Sequence, residues 1–108
     1  RNTDTAVREY HQDTTPNTYA LAQNFPNPFN AGTIIRFDLP QNENVQLTIY
    51  NLVGQKIATL IQGVRQAGSY AVNWDGKDER GMTLASGIYL YELRVGQKIQ
   101  TRKLTLLR

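Results

Sequence analysis

The amino-acid sequence predicts an all-β fold, an antiparallel sandwich of about seven strands. Three observations carry that reading. From Tyr19 onward, short runs rich in β-branched and aromatic residues alternate apolar and polar side chains. Clusters of Gly, Pro, Asn and Asp break these runs at intervals of about 8 to 12 residues, and no stretch requires a helix. A length of 108 residues with 40% hydrophobic side chains suits one core. A chain of that size buries roughly two thirds of its unfolded surface.

The first stretch, Arg1 to Thr18, holds Ala6, Val7 and Tyr10 in no sustained period and is rich in Thr, Asn, Asp and Pro. It is expected to be a flexible linker from a preceding domain, with residues 19–108 as the folded unit. It opens with neither methionine nor the basic-then-apolar run of a signal peptide, so the chain is taken as the C-terminal piece of something longer. Ala20 to Gln23 forms an opening edge that ends at Pro26 and Pro28, because proline cannot donate to a ladder. Thr33 to Leu39 alternates Ile35, Phe37 and Leu39 against Arg36 and Asp38, and Pro40 with the polar residues after it stops the strand. Val45 to Asn51 turns Val45, Leu47 and Ile49 inward. A turn at Gly54 leads into Lys56 to Ile61, where the apolar phase slips between Ile57 and Leu60, predicting a bulge near Ala58 to Thr59.

Ser69 to Asp75 places Tyr70, Val72 and Trp74 on one face, which makes Trp74 a core anchor between two sheets. Asp75 to Gly87 is the longest connection. Ile88 to Val95 and Lys98 to Leu107 are joined through Gly96 and Gln97, and glycine at the first central position suits a type II′ turn. In the last strand the apolar phase shifts from Ile99 to Leu104 and Leu106, which predicts a bulge, a longer loop or a swap between sheets.

Composition narrows the chemistry. Without cysteine there is no disulfide framework, zinc-thiolate site, iron–sulfur cluster or thiol nucleophile. His11, the only histidine, sits in the expected linker with no serine nearby, so an enzyme is not expected and no cofactor is implied. A net charge of +3 without dense Lys/Arg blocks does not point to nucleic acid, and apolar runs broken by charge exclude membrane insertion by a helix. The oxygen-rich turn around Asp75 and Asp78 is a weak alternative metal site; it lacks alternating ligands and carries Lys77 and Arg80, so a solvated Asx-type turn is the simpler reading. Tyr70, Tyr89 and Tyr91 fit core or cross-strand packing better than a sugar-stacking platform. Arg94, Lys98, Arg102, Lys103 and Arg108 all follow Glu92, the last acidic residue. Such a cationic hairpin either protects an exposed edge from aggregation or docks on an acidic receptor by strand addition.

Taken in order, Leu21 to Asn30 (LAQNFPNPFN), Thr33 to Phe37, Ile49 to Gly54 (IYNLVG), Trp74 to Asp78 (WDGKD), Ala85 to Tyr91 (ASGIYLY) and Lys103 to Arg108 (KLTLLR) form a distinctive set. Together they resemble the type A C-terminal sorting domain of type IX secretion cargo, and they are similar to the immunoglobulin-like domain of flagellar hook-capping proteins. The resemblance spans Tyr19 to Arg108 and implies an immunoglobulin-like sandwich without catalytic activity. It further implies a cargo domain upstream, passage from the periplasm through an outer-membrane translocon, and a secreted or cell-surface destination. A cysteine peptidase of the secretion machinery usually removes such a domain afterwards. Family-motif positions of structural weight fall on Pro26, Asn27, Pro28, Leu52, Gly54, Trp74, Gly87 and Tyr89. Recognition by the translocon would fall on Lys98, Arg102, Lys103, Leu104, Leu106, Leu107 and Arg108. Where many members have proline after the PNPFN run, this chain has Ala31 and Gly32. The rival functions are an accessory carbohydrate-binding module of a secreted hydrolase and a structural spacer.

Overall fold

Two antiparallel sheets enclose one apolar layer. The computed structural model describes residues 9–12 and 15–108. Its strands are β1 (Glu9–Gln12), β2 (Ala20–Leu21), β3 (Thr33–Leu39), β4 (Glu43–Tyr50), β5 (Lys56–Arg65), β6 (Gly68–Trp74), β7 (Gly87–Val95) and β8 (Lys98–Leu106). One four-stranded sheet runs β1-β6-β3-β2 and the other β5-β4-β7-β8. Alternation builds both. In β3 every second residue from Thr33 to Leu39 is buried, and in β6 the same holds from Gly68 to Trp74, so each strand turns one face inward and leaves the other outside.

Between the sheets, Ile35, Phe37, Leu39, Val72 and Trp74 meet Leu47, Ile49, Tyr91 and Leu93. Each such side chain contributes roughly 1.5–3 kcal/mol by leaving water. Trp74 is the largest of them and 1% exposed. Its ring lies 5.7 Å from Phe29 and 6.4 Å from Tyr89, and its Nε1–H donates to the Lys77 carbonyl at 3.0 Å. Phe37 stacks on Tyr70 at 5.0 Å. Buried phenols still need partners: Tyr70 donates to the Gln66 carbonyl and Tyr89 to the Ala85 carbonyl, each four residues upstream, in the manner of a tyrosine corner.

The described residues form eight strands, where the sequence suggested about seven. The addition is β1, which lies inside the expected linker and pairs with β6 from Glu9 opposite Val72 to Gln12 opposite Ser69. Arg65 grips Glu9 with two hydrogen bonds, at 2.7 and 3.0 Å. An edge strand held by backbone pairing and one ion pair needs no apolar period, which is why periodicity passed over it. Residues 1–8 and 13–14 of the expected linker lie outside the described residues. Elsewhere β2 stops at Leu21, short of Gln23, and β5 runs on to Arg65, beyond Ile61. The bulge is real and double: Leu47 and Thr48 pair with Ile61 and Thr59, and Ile49 and Tyr50 with Ala58 and Lys56, so Leu60 and Ile57 are the extra residues.

The expected break in the last strand is absent. The β7–β8 register is unbroken from Val95 opposite Lys98 to Gly87 opposite Leu106, through a two-residue turn with Gly96 at φ 58°. The apolar switch reflects a change of face and not of backbone. Ile99 points to solvent, 49% exposed, whereas Leu104 and Leu106 enter the core.

Tyr91 is fully buried; its hydroxyl donates to the Ala22 carbonyl at 2.7 Å and accepts from the Asn24 N–H at 2.8 Å. Burial is the main cause that holds this phenol above its ordinary pKa of 10.0, with the Asn24 N–H and Arg102 acting the other way. The folded state therefore favours the neutral phenol. That contribution is fully present below about pH 10 and is lost as the pH rises through the raised value. The melting temperature should accordingly fall steeply above about pH 10, and Tyr91→Phe should flatten the fall in a pH series of thermal melts. Tyr70, also pushed up mainly by burial, leaves part of the slope in the variant.

Candidate functional site: the edge of the terminal strand

β8 closes its sheet, so only one side of its backbone pairs with β7. Residues Ile99, Thr101, Lys103, Thr105 and Leu107 share the parity that faces away. The second half of this edge is covered by the proline-rich segment. Gln23 Nε2 donates to the Lys103 carbonyl at 2.7 Å, and Asn27 Oδ1 accepts from the Thr105 N–H at 2.9 Å. Phe29 N–H donates to the Thr105 carbonyl at 3.0 Å, while Leu107 N–H donates to the Phe29 carbonyl at 2.8 Å. Pro26 and Pro28, both preceded by cis peptides, supply no donors here, so amide side chains take that part. Asn24, 2% exposed, holds the turn from beneath: its Nδ2 donates to the Pro26 carbonyl and to Thr33 Oγ1, whose hydroxyl donates to the same carbonyl.

The first half of the edge is open. Ile99 and Thr101 have no backbone partner on their outward side among the described residues. Cations border this stretch. Lys103 is exposed, and Lys98 Nζ sits 5.4 Å from the centre of the Tyr19 ring. Arg102 reaches across to the other sheet, where its Nε donates to the Leu21 carbonyl at 2.6 Å. Beside Lys98, Glu43 accepts hydrogen bonds from Gln41 and Tyr19, and those bonds, Gln41 first, hold its carboxyl below the usual range. The Tyr19–Glu43 bond in turn is the main cause that raises the Tyr19 phenol.

The seven residues expected at the recognition surface therefore divide. Lys98, Arg102 and Lys103 border the open edge. Leu104 and Leu106 are core residues, 0% exposed, and present nothing to a partner; Leu107 is 55% exposed at the strand's end. Arg108 ties loops together. Its backbone N–H donates to Ser86 Oγ, and its guanidinium donates to the carbonyls of Leu84, Asn30 and Gly76 at 2.9, 3.1 and 3.0 Å. Gly76, at φ +75°, makes room for this: a Cβ there would lie 2.7 Å from Arg108 Nη2.

The remaining motif residues are structural. Leu52 and Gly54 belong to a turn in which Asn51 Oδ1 accepts from the Val53 and Gln55 N–H groups. Gly87 opens β7, and Tyr89 is 8% exposed against Trp74. The two acids of the alternative metal site serve Asx-type turns. Asp75 Oδ1 accepts from the Lys77 N–H, and Asp78 Oδ1 accepts from the N–H groups of Met82 and Arg80, at 2.9 Å each. The Met82 bond is the largest cause that lowers the Asp78 carboxyl. No cluster of three or more metal-ligating side chains occurs among the described residues. Sequence reasoning missed Gln23 and Asn27 as edge-covering groups and Asn24 as the buried support of their turn. The signal was present, since amides interleaved with prolines are the means left for pairing a strand that proline cannot pair.

Residues 24–98 match the FlgD Ig-like domain. Comparison with curated proteins finds no match. Among solved structures, the chain is similar to dimeric latent PorU from Porphyromonas gingivalis, with a TM-score of 0.67 and 20% identity over 81% of this chain and 9% of that one. It is also similar to PorZ, an essential surface component of the type-IX secretion system of the same bacterium, with a TM-score of 0.58 and 17% identity over 80% of this chain and 11% of that one. At these identities the likeness is one of fold, and this chain spans only a small part of either protein.

Proposed function

The chain belongs to the FlgD Ig-like domain family, which it matches over residues 24–98, and from that premise we propose that it is a non-catalytic sorting signal for type IX secretion. In this reading it directs an upstream cargo domain through the outer-membrane translocon to the medium or the cell surface, and the system's cysteine peptidase then removes it. The observation that carries the proposal is the fold shared with a part of PorZ, in a chain whose ordered motifs from Leu21 to Arg108 resemble the sorting domain of cargo.

The terminal edge supports a mechanism. A receptor strand that adds to Ile99–Thr101 would gain backbone hydrogen bonds on the side β7 leaves free, and Lys98, Arg102 and Lys103 would orient an acidic partner. Exposed charges act mainly on the rate of encounter and are screened over about 8 Å at physiological ionic strength.

The test fuses the whole chain to a reporter in a bacterium that has the machinery. Export of the reporter is expected, and Lys98→Glu with Lys103→Glu should slow it while leaving the melting temperature within a few degrees. Binding of the purified domain to the translocon's cargo-binding component should lose its salt dependence in the same variant. A wild-type fusion that stays in the periplasm would overturn the sorting role. Normal export of the charge-reversed fusion would remove the edge from the mechanism.

A further inference from the structure

The outer face of the β1-β6-β3-β2 sheet, on the opposite side of the sandwich from β7 and its neighbours, carries two exposed aromatic rings. Tyr10 is 57% exposed and Phe25 is 72% exposed. Paired residues of adjacent strands share a face. Thr33, Ile35, Phe37 and Leu39 are buried, so Ile34, Arg36 and Asp38 form the outward set of β3. Tyr10 lies opposite Ala71, itself opposite Arg36, and Phe25 bridges to Ile34, opposite Asn73. The rings therefore stand at the two margins of one face, three strand spacings or about 14 Å apart across the strands.

The surface between them is low and lined by small side chains. Its floor is made by Ala71, Ser69 and Ala20, since Ser69 and Ala20 both lie opposite Asp38. A depression of about 480 Å³ is lined by Tyr10, Arg36, Asp38, Ser69 and Ala71. A second, also about 480 Å³, lies beside the Phe25–Ile34 bridge and is lined by Pro26, Gly32, Ile34, Asn73 and Asp75. Arg36 and Asp38 project from one face two residues apart, and neither has a side-chain hydrogen bond or ion pair among the described residues. A guanidinium fork and a carboxylate left unpaired side by side offer donors and acceptors in the arrangement that neighbouring hydroxyls can satisfy.

We propose that this face binds a neutral polysaccharide chain, with Tyr10 and Phe25 stacking on sugar rings and Arg36 and Asp38 hydrogen-bonding the hydroxyls between them. Three features select that ligand. Arg36 and Asp38 cancel and Asp75 leaves one net negative charge, so a polyanion is disfavoured and no cluster of charge gathers to hold a polycation. The floor, two alanines and a serine, is too small to serve as the apolar centre of a protein interface. Flat aromatic faces separated by hydrogen-bonding groups suit an extended, hydroxyl-rich chain whose rings present C–H faces. The face belongs to the sheet that does not contain β8, so its occupancy is independent of the sorting role.

Affinity electrophoresis of the full chain in native gels containing hydroxyethylcellulose, xylan, galactomannan or dextran tests this. At least one polymer should retard the protein. Tyr10→Ala, Phe25→Ala and Asp38→Asn should each weaken the retarding interaction about tenfold, roughly the effect of one lost contact of 1.4 kcal/mol. All three positions are outward-facing, so melting temperatures check that the variants remain folded. Lys98→Glu with Lys103→Glu should bind as the wild type does. Absence of retardation by all four polymers, retardation only by polygalacturonate or heparin, or unchanged retardation of the folded Tyr10 and Phe25 variants would each overturn the proposal.

Discussion

Removing Lys103–Arg108 is expected to unfold the domain and not to release an intact sandwich that merely lacks a signal. The deletion takes Leu104 and Leu106, both 0% exposed, out of the core. Loss of one buried leucine side chain costs about 2–5 kcal/mol, so two consume most of the 5–15 kcal/mol that an ordinary domain possesses. It also removes the Thr105 and Leu107 backbone groups that pair with Phe29, and the guanidinium that holds the carbonyls of Leu84, Asn30 and Gly76. Circular dichroism of the truncated chain should show no cooperative melt at room temperature and above. A cooperative transition within a few degrees of the full chain would refute this account of the tail. Loss of export in such a truncation would therefore report on folding. Point changes at the exposed Lys98 and Lys103 are the ones that address recognition.

Trp74→Ala should cost about 3–5 kcal/mol, through lost transfer energy and the cavity left between the sheets. Phe29 and Tyr89 would face that cavity from two sides, and the Lys77 carbonyl would lose its indole donor. Trp74→Phe should recover part of the loss, since it keeps the ring contacts and sacrifices the hydrogen bond. Denaturant titrations of both variants measure the difference. Because this is the only tryptophan, emission of the folded wild type should be that of a buried indole. A solvent-like spectrum in the native state would contradict the placement.

What could be read from the sequence follows from the physics of each signal. Strict alternation gave β3 its bounds at Thr33 and Leu39 and put Tyr70, Val72 and Trp74 on one face, because a half-buried strand has to repeat with period two. Tertiary exchanges leave no such period. β1 is held by β6 and by Arg65, which lies 56 residues further along the chain. Arg108 looked like one more cation of a basic tail, yet its role is set by three carbonyls from two loops, none adjacent to it in sequence. Tyr10 fell in a segment without apolar rhythm, so its pairing with Ala71, and the surface it shares with Arg36, could not be anticipated. The cationic hairpin was legible as charge but not as geometry. The same hairpin that supplies the cations supplies Leu104 and Leu106 to the core.

The coverage of β8 by the proline-rich segment bears on when this domain can form. Asn27 and Thr105, which bond directly, are 78 residues apart. Synthesis runs from the N-terminus, so Asn27 leaves the ribosome 78 residues ahead of its partner Thr105. Until then one sheet lacks its last strand, and the early segment has nothing to close on. Pairings of such long sequence separation form late, and chains that await them expose apolar strands to aggregation. The completed sandwich therefore forms only once β8 has been made, and a chain cut short before Leu106 cannot acquire it. The paired edge of β8 thus exists only in a chain translated through Leu107.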